Sequence, residues 1–382
     1  MAESVIEFLR GYVAIPSVNP MGRTDLPADI VGEAAYAAHL QAQLGALSVD
    51  VERVGDSQRP SVVAEVKASD VAADTVLVAS HLDTVPVDGM EIAPFDPVVE
   101  NGRLYGRGSC DTKAGMAALV AALKKVLGRG VLRRNLILVG EADEELGSLG
   151  VRDVLAALGP RRPSWVLATE PTDLRVVNAH KGVVHVRMEA RGVACHASNP
   201  GEGKNAVILL SHAAVALDAL ASRLSERVDP QLGPATLSVG VMGGGHAPNV
   251  VPDRAYLVAD RRLLPGETLM GARAEFEQAL SDAGVSDSVE LASCTLEKPT
   301  LSTAPDHPAV TCCARALSAA GQAGEVGQVA FGTDAGVFEA AGLPGVVLGP
   351  GSILRAHTAR EYVETDQVEA MVDFFVELLS SP

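Results

Sequence analysis

Residues 75–86 read TVLVASHLDTVP. Thr75–Ser80 is an apolar, β-branched run with no polar alternation, and His81 and Asp83 stand at its exit. A short run of this kind reads as a strand buried on both faces, the habit of parallel sheets. The pattern recurs: LILVGEAD leads into Glu144 and Glu145, SWVLAT into Glu170, and GVVLGPG lies just ahead of His357. In open α/β sheets the functional crevice lies beyond the carboxyl ends of the strands. Distant segments are therefore expected to bring His81, Asp111 (in GRGSCDTKAG), Glu144 and Glu145 (in GEADEELGS), Glu170 (in ATEPTD) and His357 (in RAHTAREYVET) to one rim. Two imidazoles and three carboxylates suit two divalent ions and leave one carboxylate for proton transfer.

The 382 residues are enough for two domains with separate cores. Aromatic residues make up only 3%, so those cores are built from Ala, Val and Leu. A net charge of -17 argues against binding nucleic acid. The five cysteines are odd in number and form no C-x-x-C pair, which is the usage of a reducing cytoplasm and disfavours a thiolate zinc site. The start, MAESVIEFLRGYVAIPSVNP, carries Glu3 and Glu7 and lacks a basic leader region. No uninterrupted apolar stretch of membrane-spanning length is read, so no membrane partner is expected.

Residues 1–20 read as a short amphipathic helix halted near Pro16, and a second, Ala-rich helix lies around 29–46. Strands and helices then alternate (VDVERV, SVVAEV, TVLVAS, MAALVAALKKVLGRG, LILVGEA, VRDVLAALG, SWVLAT), which predicts a mainly parallel sheet covered on both faces. Near Lys181 the rhythm changes. GVVHVRMEARG, the helical KNAVILLSHAAVALDALASRLSER, ATLSVGVMGG, RAYLVADRRLL, the helical GETLMGARAEFEQALSDAG and SVELASCTL follow in the order β-α-β-β-α-β, the ferredoxin-like split unit. We read a lid or dimerisation domain at 182–297, inserted into a catalytic domain of 1–181 and 298–382.

Each candidate has an ordinary reading beside the functional one. Asp83 is spaced to orient His81 but also suits a strand-ending turn. Asp111 could bridge two ions or merely cap the following helix. The acids of GEADEELGS would be favoured by a helix dipole, yet four in five residues repel unless a cation intervenes. The G-R-G run lacks the dinucleotide spacing, and no G-x-S-x-G elbow is present. In the insert, His196 is a lone histidine of the kind usually kept for structure, and Asn249 is a possible substrate contact. Arg262 suits bidentate recognition of a carboxylate or, equally, a strand-edge ion pair.

Taken together, HLDTVP, GRGSCDTKAG, DEELGS, TEPT, AHKG, ACHASNPGEGKNAV, PNVVPD, DRRLLPGE and GTDAG resemble the M20 family of metallopeptidases and deacylases across essentially the whole chain. VLGPGSILRAHTAREYVET and AHKG look most like its acetylornithine deacetylases. His81-Leu82-Asp83 stands where H-T-D is common in the family, and Cys195 precedes the lid histidine. The resemblance implies that His81 and Glu170 hold one metal, Glu145 and His357 the other, and Asp111 bridges them. It makes Glu144 the general base, Asp83 the partner of His81, and His196 an oxyanion ligand in the partner subunit's site, within a homodimer formed through the insert. Lys181, Asn249 and Arg262 would contact substrate. The implied enzyme is a cytoplasmic di-zinc amidohydrolase, with Co or Mn as substitutes, acting on a small N-acyl amino acid such as N-acetylornithine and serving arginine biosynthesis. Desuccinylation of diaminopimelate, or dipeptidase or aminoacylase activity, is the alternative within the family.

Overall fold

Thr75–His81 lies inside a nine-stranded sheet in the computed structural model, which describes residues 4–70 and 72–381. Asn135–Glu141, Thr75–His81, Trp165–Ala168 and Gly345–Val347 run parallel and adjacent. The margins are antiparallel: Val51–Gly55 and Pro60–Val66 extend one side, and Val176–His180 pairs with Gly345–Val347 on the other. The expected parallel sheet is thus the central four strands. The Val51–Val66 strands are joined by a short turn, which only antiparallel pairing permits.

The unbroken apolar runs reflect burial on two faces. Val76, Val78, Leu136, Leu138, Trp165 and Leu167 face one core, with the helices Val5–Val13, Ala34–Gly45, Lys113–Arg129, Pro308–Ala319 and Thr365–Ser380. The alternate residues Leu77, Ala79, Ile137, Val139 and Val166 face a second core, with Val151, Val154 and Leu158 of helix Leu149–Leu158 and with Phe338. The expected first helix is Val5–Val13; residues 1–3 of its predicted span lie outside the described residues. One element carries no sequence signal. The three-residue strands Val98–Glu100, Arg103–Tyr105 and Tyr362–Glu364 form a small antiparallel sheet, too short to show a period. Arg103 caps the Tyr362 ring at 4.5 Å within it.

The chain divides into two compact units, one made of the described residues of Met1–Ala179, Leu301–Gln328 and Thr333–Pro382, the other of His180–Thr300 with Val329–Gly332. The second unit has four antiparallel strands in the order Thr236–Gly244, Arg254–Leu263, Gly182–Arg191, Val289–Lys298. Helices Ala206–Leu224 and Leu269–Asp282 supply Leu210, Leu217 and Phe276 to a core shared with Val184, Val186, Met188 and Leu257. Burial alternates along Arg254–Leu263, so Asp260 and Arg262 stand on the open face and Arg261 on the covered one. The sequence reading found no membrane-length apolar run, but Ala206–Leu224 is long and apolar enough by composition to qualify. The difference comes from His212, Asp218 and Arg223, which interrupt the run without lowering its average much. Leu210, Ala213, Leu217, Leu220 and Leu224 of this helix are buried in the unit's core.

Helix Leu149–Leu158 begins against the turn that leads to Glu144. Gly150 N donates to Ala142 O at 3.1 Å, and a Cβ on Gly150 would lie 2.2 Å from that oxygen and 2.5 Å from Ala142 N. Both obstacles are backbone, so no side chain can give way. Gly150→Ala is expected to destabilise the protein by about 1–3 kcal/mol, as overpacking does. Thermal unfolding should show a fall of several degrees; a midpoint within about 1 °C of the parent would show that this approach is loose.

Candidate metal centre

His81 is the last residue of its strand, and its ring orientation is set at once by the following turn. Nδ1 lies 2.9 Å from the backbone carbonyl of Asp83. A carbonyl only accepts, so Nδ1 carries a hydrogen and Nε2 is the nitrogen turned into the site. Nε2 faces carboxylates: Asp111 Oδ1 at 2.9 Å and Glu170 Oε1 at 3.9 Å. The expectation that the Asp83 carboxylate orients His81 is modified, because it is 3.5 Å from Nδ1 while the carbonyl of the same residue is nearer. The Asp83 carboxylate instead accepts hydrogen bonds from the backbone N–H of Glu144 and of Glu145, both at 3.1 Å.

Asp111 is no helix cap. Thr112 occupies the cap position of helix Lys113–Arg129. Asp111 is held from behind by Glu361, whose Oε1 accepts from Cys110 N at 3.0 Å and Asp111 N at 3.1 Å while Oε2 pairs with Arg107. Its own oxygens divide between two imidazoles. Oδ1 faces His81, and Oδ2 is 3.2 Å from His357 Nε2. His357, at φ +59°, adopts a left-handed conformation uncommon for a non-glycine residue, and its Nε2 is also 3.2 Å from Glu145 Oε1.

The acidic turn is fastened by residues that sequence reasoning missed. Asp143, at φ +62°, accepts from Arg59 Nη1 at 2.7 Å. Arg59 also forks onto Glu33, with Nη2–Oε1 at 2.6 Å and Nε–Oε2 at 3.0 Å, and Glu33 Oε1 accepts the Asp143 N–H at 3.2 Å. Asn19, Glu33, Arg59, Arg107 and Glu361 carried no signal of this role. Asn19, Glu33 and Arg59 are single polar residues outside the acid and histidine clusters, Arg107 is the cation of the G-R-G run, and Glu361 is one acid among several past His357.

The charges follow from this packing. Burial opposes ionisation of Asp111, but hydrogen bonds from His357 and His81 hold its carboxyl well below the usual carboxylate range. Burial opposes charge on His357 too, yet Asp111 and Glu145 push it up to about 11. His81 moves the same way, against its burial, through Asp111 and Asp83. Burial raises Glu145 and Glu170, with the charge of Asp111 adding to it. Acids and imidazoles crowded together, most of them buried, call for shared cations, and neutral imidazole with carboxylate is a donor set for borderline divalent ions. His81, Asp111 and Glu145 each place a donor atom within 4.8 Å of the others, as do His81, Glu144 and Glu170. The residues fit a two-metal centre in which Asp111 faces both histidines. Glu144 places its own donor atom in the second of these groups.

The remaining candidates belong to the second unit. His196 and Asn249 share a two-stranded ribbon in which Cys195–His196 pairs with Val250–Val251, and Ala197 N donates to Asn249 O at 3.0 Å. The His196 ring is exposed, and its Nδ1 accepts from Ser198 N at 3.2 Å, which leaves Nε2 as the N–H donor of the neutral ring. Arg262 is engaged, forking onto Asp260 at 2.7 and 3.0 Å, the ion pair its ordinary reading anticipated. Lys181 donates to Pro234 O at 2.6 Å. Burial, then Arg262 and Arg261, lower its pKa.

The family model for peptidase family M20/M25/M40 matches residues 77–381. An acetylornithine deacetylase of Klebsiella pneumoniae (strain 342) is 30% identical over 94% of this chain and 93% of its own length. Among solved structures, an M20 family metallo-carboxypeptidase from Sulfolobus solfataricus superposes with a TM-score of 0.81 at 20% identity, covering 99% of both chains. A dinuclear metal-binding M20 peptidase of Bacillus subtilis gives 0.72 at 15% identity, covering 98% of this chain and 96% of its own. The chain belongs to the M20 peptidase family.

Proposed function

We propose that this M20 hydrolase is a two-metal amidohydrolase that removes an N-acyl group, acetyl foremost, from a small amino acid such as N-acetylornithine. The observation that carries the reading is the sharing of Asp111 between His81 and His357, flanked by Glu170 and Glu145 and next to a further buried carboxylate, Glu144. In this reading His81 and Glu170 would hold one ion, Glu145 and His357 the other, and Asp111 would serve both. Zinc is the metal proposed, with cobalt or manganese as substitutes. When bound, the ions would polarise the scissile amide and make a water acidic enough to deprotonate near neutral pH.

The side chains do the rest. Glu144 takes the water's proton and passes it to the leaving nitrogen, the work of a general base turned acid. His196, with its N–H at Nε2, donates to the developing oxyanion in the partner subunit's site. Asn249, Lys181 and Arg262 read the substrate's polar ends. Arg262 does so with donors left over from Asp260, because a guanidinium has five N–H groups and this ion pair uses two. We place the homodimer contact on the inserted unit. The exposed Ile208 and Val215 of helix Ala206–Leu224 support this, since a partner would cover them.

Glu144→Gln should lower kcat at least about 10²-fold while two ions remain bound. Turnover of N-acetyl, N-succinyl and N-formyl amino acids and of dipeptides, with zinc or cobalt added, tests the reading; a dipeptide preference, or one ion lost from Glu144→Gln with activity kept, overturns it. Arg262→Ala should cost about 1.5–3 kcal/mol of charge-assisted binding. That is roughly 10- to 150-fold in kcat/KM for an acid substrate, and much less for the same substrate amidated. Equal losses on both would make Arg262 a structural partner of Asp260. Mixing inactive Glu144→Gln with inactive His196→Ala subunits should restore part of the activity. Subunit exchange without recovery would show that His196 does not act across the dimer.

A further inference from the structure

We propose that Asn19 is the positioning residue that holds the Glu144 turn in register with the His81 strand. Asn19 is fully buried. Its amide nitrogen has two hydrogens and spends both on carboxylates: Asp83 Oδ2 at 2.8 Å and Asp143 Oδ1 at 3.0 Å. Its side-chain oxygen accepts from Met21 N at 3.0 Å, which fixes which end of the amide is nitrogen. The backbone is equally constrained, with Asn19 N donating to Thr84 O at 2.8 Å.

The two acids it joins follow different strands of the sheet. Asp83 follows the strand ending at His81, and its carboxylate receives the N–H groups of Glu144 and Glu145. Asp143 follows the strand ending at Glu141, and Arg59 holds it from another side. The amide therefore sits where the histidine segment and the acid segment meet. Two carboxylates this close would push apart, and a neutral double donor removes that repulsion without adding a charge. Aspartate at this position has the same shape but only acceptors, so it would set three carboxylates against each other. Leucine has a similar volume and would leave both acids short of a donor. In either case the Asp83 carboxylate loses its anchor, and with it the backbone of Glu144.

This inference rests on Glu144 acting as the base, so its test has one readout free of activity. In metal-free protein, amide hydrogen exchange of the peptide spanning residues 139–149 should quicken in Asn19→Leu and more in Asn19→Asp, because the Glu144 and Glu145 N–H groups lose a fixed acceptor. In zinc-loaded protein, kcat should fall about 10- to 100-fold, as for other residues that orient metal-site groups, with KM nearly unchanged and two ions bound at saturating zinc. Asn19→Ser keeps one donor and should fall between parent and Asn19→Leu, and it serves if the larger changes prevent folding. Unchanged exchange in these variants overturns the proposal, and so does faster exchange with an unchanged kcat. If Glu144→Gln keeps full activity, the base assignment fails instead, while the exchange rates still decide whether Asn19 holds the turn.

Discussion

A single buried carboxylate serving two imidazoles is the constraint around which the first unit is arranged. Asp111 can occupy that position only if its backbone is fixed, since its two oxygens must face His81 and His357 at the same time. The fixing comes from behind, where Glu361 receives the Cys110 and Asp111 N–H groups and is neutralised by Arg107. Glu361 is held in turn by the short strand Tyr362–Glu364, which pairs with Arg103–Tyr105. Ahead of Asp111, residues 113–123 of the next helix are all buried, so the loop has a rigid element on its far side. Gly108, at φ +80°, makes the bend between them; a Cβ there would lie 2.8 Å from Thr84 Cγ2. The small sheet, so minor in the fold, is thereby tied directly to Asp111.

The same logic governs the acidic turn. Asp143, Glu144 and Glu145 are carried on consecutive residues, and like charges so close need partners of different kinds. The structure separates them. Asp143 turns toward Arg59 and Asn19, Glu145 toward His357, and the backbone of the pair toward Asp83. Glu33 is buried and receives both Arg59 and the Asp143 N–H, so the ion pair anchors the turn rather than decorating the surface. Pairing of this kind is costly to break from one side, because it leaves a buried charge unmatched.

The second unit is organised by a different rule. Its sheet has one face packed under two helices and one face charged, so its strands alternate where those of the nine-stranded sheet do not. Arg261 and Arg262 are neighbours in sequence and opposite in fate. Arg261 is buried against Glu267, and Arg262 pairs with Asp260 on the open face. The ribbon holding His196 beside Asn249 brings together two residues 53 positions apart (249 − 196).

Much of this was legible in the chain itself, because strand burial and strand exit leave local marks. Apolar runs such as TVLVAS and LILVG exist only where both faces of a strand are covered. A histidine or acid directly after such a run is therefore placed at the rim by the run alone. The β-α-β-β-α-β order of the insert is likewise written in its changes of period. What the sequence could not determine is which polar residue meets which. Asn19, Glu33, Arg59, Arg107 and Glu361 lie far along the chain from the groups they hold, and even Arg107 and Glu361, which fall inside quoted motifs, carry no mark of their partners. The division of labour within Asp83, whose carbonyl meets His81 while its carboxylate meets the Glu144 turn, is also invisible to spacing. Periodicity reports whether a side chain is buried. Its hydrogen-bond partner is chosen only when the folded chain brings distant donors and acceptors within about 3 Å of each other, which tertiary structure alone decides.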